Sequence, residues 1–301
     1  MSITEPGIYC DITEADYATW PQLRRSHLVR GFDSMRKLKA AWDGVSGPQT
    51  EPQRFGAAFH ARVLQPRLYD STYAAIPDFS QDEPGRYKNY RATSEFKAKL
   101  AAFQSANAGR EFLTAADAAA IERMAAAIHE NPVTNLLKLD GGGVECAIVW
   151  EADGVPLKIR TDLLIGAVGE GQRDRPLIID LKKEGRSASA RSFQAAMWRY
   201  RYDIQAAMAI EAVKDLTGRD ADFYFLVVED TPPHEVVVYQ PGAATIDAAR
   251  EDFHGILSQI SWCQSHNVWP GLGWDYDKES YEIQPLELPD WKINQHEEPS
   301  P

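Results

Sequence analysis

Asp162, Asp180 and Lys182 are the residues of this 301-residue chain whose types and spacing invite a chemical reading. Asp180 and Lys182 stand two apart in the apolar run LIIDLK, and side chains two apart on a strand share one side. Leu181 between them then faces the opposite, buried side. Asp162 lies upstream in TDLLIGAV, and the polar loop GEGQRDRP is long enough to let the two strands lie side by side. Two carboxylates and one amine in a single patch suit metal-assisted hydrolysis of a phosphodiester. Carboxylates are hard oxygen ligands for Mg2+, which keeps several waters and can bind phosphate directly. Such a metal acidifies a bound water, while a lysine beside it orients that water or stabilises developing negative charge. The competing reading is a surface ion pair worth about 0–1 kcal/mol. D-x-K spacing alone does not separate the two.

The elements that must hold these groups are readable from periodicity. Val144–Trp150 and Pro156–Val168 read as strands joined by the turn Ala152-Asp153-Gly154, and Leu177–Leu181 as a third strand. A long helix is expected from about Ser189 to Leu216, with Phe193, Met197, Tyr200, Ile204, Ala207 and Met208 on one broad face. Phe223–Glu229 and Glu235–Tyr239 are further strands, and a helix over Ala243–His266 precedes an acidic tail, Asp275 to Glu298. Upstream, one helix is expected near Arg24–Trp42, opened by Ser26 or an earlier turn. A loop follows at 44–53, then a helix over Arg54–Leu64 that Pro66 stops. Residues 70–95 read as a polar surface excursion, and 94–106 and 114–129 as Ala-rich helices, the second opened by Thr114 ahead of Asp117. The expected fold class is α/β (α+β) with a mixed central sheet flanked by helices. The expected organisation is one domain over 1–301: a mainly helical part (1–140) carrying His60, a sheet-and-helix core (141–240), and a C-terminal helix with its tail (241–301).

Composition narrows the function classes. A hydrophobic fraction of 44% with 25% charged residues excludes a wholly disordered, fibrous or collagen-like chain. No apolar run is long enough for a membrane span, and the N-terminus lacks the pattern of a secretory signal, so a cytoplasmic protein is expected. Cys10, Cys146 and Cys263 are scattered, which excludes a disulfide framework or a four-cysteine cage. A net charge of −12 argues against a uniformly positive DNA-coating surface but leaves room for a local basic channel. Two basic clusters exist: Arg24, Arg25, Arg30, Arg36, Lys37 and Lys39, and then Lys182, Lys183, Arg186, Arg191, Arg199 and Arg201. Each can equally be a solvated helix face.

The ordered set E-x-x-x-x-W, D-G, R-T-D-L-L, L-I-I-D-L-K and Y-x-Y-D-I-Q-A-A, from Glu145 to Ala207, resembles the PD-(D/E)XK nuclease superfamily. More narrowly it resembles the exodeoxyribonuclease VIII-like family of phages and prophages. The resemblance extends to FGAAFHARVLQP at 55–66, to TPPHEVVV, and to LPDW at 288–291, so it covers most of the chain. Thr161 stands where the superfamily's name places proline, and Lys183-Glu184 replaces a Thr-rich continuation.

The resemblance implies a restriction-endonuclease-like fold and a Mg2+-dependent (or Mn2+-dependent) exodeoxyribonuclease. It would act from ends of duplex DNA, 5′→3′, in phage-type recombination, as a ring-shaped homo-oligomer beside a single-strand annealing protein. It implies that Asp162, Asp180 and His60 hold the metal and that Lys182 is the catalytic lysine. Glu145 would stand beside the site, with an ion pair to Arg160 as the competing explanation. Gln205 would support the site, and Tyr202, three residues earlier on the helix, would share its face. Arg24, Arg25, Arg36, Lys37, Arg186 and Arg191 would line the DNA path, with Trp20, Trp42 and Trp198 available for stacking on unpaired bases. Two rivals remain: a non-cleaving DNA-binding accessory protein of the same fold, and a nuclease with endonucleolytic or single-strand specificity.

Overall fold

The computed structural model describes all residues except 1–4, 11, 45–49, 80–89, 140, 170 and 290–301. Much of the 44–53 loop, Pro84 and Gly85 of the polar excursion, and the end of the acidic tail with Asp290-Trp291 therefore lie outside the described residues.

The N-terminal part runs β1 (Gly7–Tyr9), α1 (Glu14–Thr19), β2 (Leu23–Arg24), α2 (Arg25–Gly31), α3 (Met35–Trp42), α4 (Glu51–Leu64), α5 (Pro66–Thr72) and β3 (Tyr73–Ala75). It continues with α6 (Ser94–Ala106), β4 (Glu111–Leu113) and α7 (Ala115–Glu130). The core follows as β5 (Gly142–Ala152), β6 (Val155–Ile165), β7 (Leu177–Glu184), α8 (Ala190–Tyr200), α9 (Tyr202–Thr217), β8 (Asp222–Glu229), β9 (Val236–Tyr239) and α10 (Ala243–His266). A small hairpin, β10 (Trp274–Asp275) with β11 (Ser280–Tyr281), follows.

The central sheet has the order β1-β5-β6-β7-β8-β9, with β2 added against β6. It is mixed as expected: β7–β8 and β2–β6 are parallel and the other neighbours antiparallel. One face packs on α9, α10, α2 and α3 through Ile148, Trp150, Ile178, Ile204, Met208 and Phe253. The other carries α4 and α7 through Phe59, Ile121, Met124, Ile128, Ile179 and Leu181. At the β1 end, Tyr17 and Trp20 cover Ala147 and Val149.

Several local readings hold. Asp153 and Gly154 both take positive φ, 51° and 75°, which a two-residue turn matched to strand twist requires. The Thr114 hydroxyl accepts from Asp117 N–H and opens α7.

Two long helices expected from periodicity are each broken. The Arg24–Trp42 segment is β2 followed by two helices, and the second cap is Ser34, whose side chain accepts from Lys37 N–H. Ser26 lies inside α2 instead. The Ser189–Leu216 segment breaks at Arg201, which takes the left-handed conformation at φ 53°. That conformation is costly for a branched-out residue, and here it is over-determined. Arg201 pairs with Asp203 at 3.0 Å and Asp252 at 2.6 Å and lies 4.0 Å over the Phe32 ring. Apolar spacing carries no record of such a three-way anchor. The break also leaves Tyr200 half exposed rather than on the buried face. The cysteines differ from expectation in one respect: no framework exists, yet Cys10, one residue past β1, and Cys146 of β5 form a disulfide.

Candidate metal centre and basic cleft

The site forms where the sheet's regular pairing stops. The β5–β6 ladder pairs Val144 with Leu163 and Cys146 with Thr161 but omits the pair between them, Glu145 opposite Asp162. Glu145 has φ 54°. Alternation fails there in both strands. Cys146 and Ile148 face the α9 layer while Val144 faces the α4 layer; Leu157 and Ile159 face the α9 layer while Leu163 and Ile165 face the α4 layer. The β6–β7 ladder also ends early, at Leu163 opposite Ile179, one step short of Asp162 opposite Asp180.

Beyond that point β7 presents an unpaired peptide edge, and buried peptide groups need partners. Side chains supply them. Leu181 N–H donates to Asp162 Oδ2 at 2.6 Å, and Leu181 C=O accepts from His60 Nε2 at 2.8 Å. A carbonyl only accepts, so Nε2 carries the imidazole proton and the Nδ1 lone pair is left free. Nδ1 lies 3.8 Å from Asp162 Oδ1. An imidazole held by a carbonyl on one nitrogen and open on the other is the arrangement metal-ligating histidines adopt. His60 comes from α4, whose Phe59 packs into the core and so fixes the neighbouring ring.

One ligand atom each from His60, Glu145 and Asp162 lie within 4.8 Å of one another. Burial and the Asp162 charge push the Glu145 carboxyl up to about 7, although Arg160 opposes this from 2.8 Å. Arg160 also pairs with Glu14 of α1. Both explanations considered for Glu145 therefore coexist in one geometry. Two half-buried carboxylates facing each other repel unless a cation lies between them, so this donor set fits a hard divalent ion.

Asp180 is placed differently from the expected cage of His60, Asp162 and Asp180. It is 2% exposed, with Lys182 Nζ 2.5 Å from Oδ2 and Gln205 Nε2 donating to Oδ1. Burial raises its pKa, and Lys182 opposes that shift. Oδ2 has no hydrogen bond of good geometry, only the ammonium beside it. Lys182 Nζ also donates to Gln205 Oε1 at 3.1 Å and stands 4.4 Å from the Tyr202 ring centroid. The structure thus brings Asp180, Lys182, Tyr202 and Gln205 together. Beside them stand His60, Glu145 and Asp162.

A cleft of about 1260 Å³ opens onto His60, Leu181 and Lys182. Its wall carries seven cations, Arg25, Arg30, Lys182, Lys183, Arg186, Arg191 and Arg199, and one carboxylate, Glu184. On a chain of net charge −12 this is a strong local inversion. Arg24, Arg36 and Lys37, expected in the same path, are elsewhere. Arg24 Nε donates to His27, Arg36 packs on Tyr281, and Lys37 pairs with Asp33. Helix α3 turns its basic residues away because Met35 and Leu38 are its buried face. Lys183 lines the cleft yet is held by Asp230 at 2.6 Å. Trp20 is 3% exposed and Trp42 packs edge-on to Trp269, so neither is available for stacking; Trp198, 71% exposed, is. The part of the site with no sequence signal is the Leu181 backbone, since no side-chain type marks it.

The profile of a PDDEXK-like domain of unknown function (DUF3799) matches residues 31–277. Among solved structures, the chain is similar to a "Putative exonuclease" from Eubacterium rectale, at 13% identity over 96% of this chain and 100% of that one, with a TM-score of 0.57. That identity supports likeness of fold alone. The structure of SSO0001 shares 13% identity over 69% of this chain and 88% of that one, at a TM-score of 0.27. No curated protein matches the chain in sequence. With the family profile spanning β5 to β9 and His60, Glu145 and Asp162, the chain belongs to the PDDEXK-like DUF3799 family.

Proposed function

We propose that this protein is a divalent-metal-dependent exodeoxyribonuclease that hydrolyses phosphodiester bonds from ends of duplex DNA. The observation that carries the reading is the convergence of His60, Glu145 and Asp162, with His60 and Lys182 lining a cleft whose wall is basic. A divalent ion bound there, Mg2+ or Mn2+, supplies an acidified water and neutralises charge on the phosphate. His60, Glu145 and Asp162 would hold it. Lys182 places a positive charge where the leaving oxygen or attacking water develops negative charge. Asp180 and Gln205 hold that ammonium from two sides. Arg30, Arg186, Arg191 and Arg199 attract the DNA backbone. Action at ends with 5′→3′ polarity, a ring-shaped oligomer and a single-strand annealing partner in recombination rest on the family resemblance. Among the described residues no helix is long and apolar enough to cross a membrane.

The test is digestion of linear duplex, circular duplex and single-stranded DNA with Mg2+, by the wild type, Lys182→Ala and Asp180→Asn. Loss of at least about 10²-fold in either variant, and silence under chelation, are expected for lost electrostatic stabilisation. Full activity in Lys182→Ala overturns the assigned chemistry. Cleavage of circular duplex replaces exonuclease by endonuclease. Salt-sensitive DNA binding with no metal-dependent product in the wild type replaces the enzyme by the accessory-protein reading.

A further inference from the structure

Arg25 lines the basic cleft, and a guanidinium there would ordinarily be counted a phosphate contact. Two of its five N–H donors are committed elsewhere. Nε–H donates to the Arg201 carbonyl at 3.3 Å, and Nη2 donates to the Tyr200 carbonyl. These carbonyls sit at the end of α8, where the chain turns at Arg201 and restarts as α9. The last carbonyls of a helix lack intrahelical donors and favour a nearby cation. The same guanidinium lies 5.3 Å from the Tyr202 ring centroid, and Lys182 Nζ lies 4.4 Å from that centroid. One aromatic ring thus connects Arg25 to the amine that Asp180 and Gln205 hold.

We propose that Arg25 is a positioning residue. It fixes the α8–α9 break and, through the Tyr202 ring, the placement of the Lys182 ammonium. This rests on the nuclease reading for the role of Lys182; the geometry it assigns to Arg25 is independent of it. An ammonium cannot replace the guanidinium here. Lysine carries a compact point charge on a flexible stem, whereas the planar fork meets two carbonyls and a ring at once. Arg25→Lys therefore keeps the charge that DNA feels and removes the positioning.

The experiment has two arms. In digestion of linear duplex with Mg2+, Arg25→Lys is expected to lower kcat by roughly 10- to 100-fold, the scale of misplacing a reacting group. Its KM stays within about twofold and its salt dependence is unchanged, because Coulomb attraction of the backbone is retained. A phosphate contact gives the opposite pattern. Arg25→Lys would then be near wild type, and Arg25→Gln would raise KM at constant kcat and flatten the log–log salt slope by about one. That pattern overturns the proposal. The second arm needs no catalysis: the rate at which an amine-acylating reagent modifies Lys182 is followed by mass spectrometry, with buried Lys158 as the control for global opening. Several-fold faster labelling of Lys182 in Arg25→Lys and Arg25→Gln, with Lys158 unchanged, is expected. Equal labelling of Lys182 in wild type and variants overturns the positioning role, even if the wild type proves to cut nothing and the nuclease reading falls on its own.

Discussion

Replacing Glu145 by glutamine should stabilise the metal-free protein while removing its response to divalent ions. Oxygen atoms of Glu145 and Asp162 lie within 4.8 Å of each other. At that separation, and an effective dielectric constant of about 20, like unit charges repel by roughly 3.5 kcal/mol. Part of this is already offset by Arg160, 2.8 Å from Glu145. Arg160 keeps Glu14 as a partner in the variant, so the ion pair lost is worth about 1–2 kcal/mol in a half-buried setting. A net gain of roughly 2 kcal/mol should raise Tm by about 3 °C for a chain of this size. The gain has a pH window. The Glu145 carboxyl is pushed from its usual 4.5 up to about 7, so it is protonated in the folded state where the unfolded chain has released its proton. Wild-type stability therefore falls as pH rises from 4.5 through 7, and the advantage of Glu145→Gln is complete above that range and fades toward pH 5. A divalent ion reverses the order. At a hundred times its Kd it stabilises the folded wild type by about 2.7 kcal/mol, and the variant, one carboxylate short, gains far less. Scanning calorimetry at pH 5 and pH 8, with EDTA and with Mg2+ or Mn2+, reads all four quantities. A variant that melts below wild type in EDTA at pH 8, or a wild type indifferent to both ions, refutes the cage.

Three further outcomes test the surroundings of the site. His27 is 9% exposed, and burial, reinforced by Arg24, lowers its pKa from 6.5 to about 4; the folded state then binds fewer protons between those values, so stability drops as pH falls through them by up to about 3 kcal/mol. Urea unfolding at pH 7 and pH 4.5 should show wild type losing that much relative to His27→Gln between the two pH values, the Glu145 contribution being common to both, and parallel behaviour would remove His27 as the source. Lys158, 1% exposed, donates to the carbonyls of Tyr17 and Trp20 at 2.7 Å each, so Lys158→Met leaves two buried acceptors unpaired and should cost about 2–4 kcal/mol in urea unfolding. Arg191→Gln and Arg199→Gln should each flatten the salt dependence of DNA binding by about one unit on log–log axes. Arg36→Gln and Lys37→Gln, outside the cleft, should leave the slope alone, and equal effects at all four positions would contradict the cleft as the DNA path.

The parts of the fold that sequence alone made legible are those governed by a local rule. Asp153-Gly154 announces a tight hairpin because few other residues take two positive φ values in succession. Asp180 and Lys182 share a side because strand alternation is strict along β7, where Ile179 and Leu181 fill the opposite core. The α10 bounds follow from its apolar stripe, Ile246, Phe253, Leu257 and Ile260. What escaped was set by contacts distant in sequence. The break at Arg201 depends on Asp252 and on Phe32, far from it in the chain, and periodicity reads straight through it. Assigning Arg36 and Lys37 to the cleft failed for the same reason. Arg25, Arg30 and Arg36 belong to one basic cluster, but Ser34 starts a new helix with its own rotational phase, and the later cations turn away.

The same distinction explains why the D-x-K pattern points to the candidate site and says nothing of Glu145. Alternation puts Asp180 beside Lys182, where its oxygens face an ammonium at 2.5 Å and the Gln205 amide. The carboxylate that converges with His60 and Asp162 comes from a residue that strict alternation would not place there. Glu145 reaches the cage only because β5 abandons regular geometry at that one position, with φ 54° and its ladder pair with Asp162 missing. Asp162, directly opposite, is relieved of the same pair and turns its carboxylate to Leu181 N–H, which β6 has stopped serving. The irregularities in β5 and β6 are therefore one feature, and restoring the ladder would dismantle the cage. A conformation unfavourable for glutamate persists where the surrounding core over-determines it, with Val144 held by the α4 layer and Cys146 by the α9 layer. Glu145→Gly should accordingly leave the fold intact, since glycine accepts positive φ freely, and abolish the calorimetric response to divalent ions. If that response survives, the cation is held without Glu145.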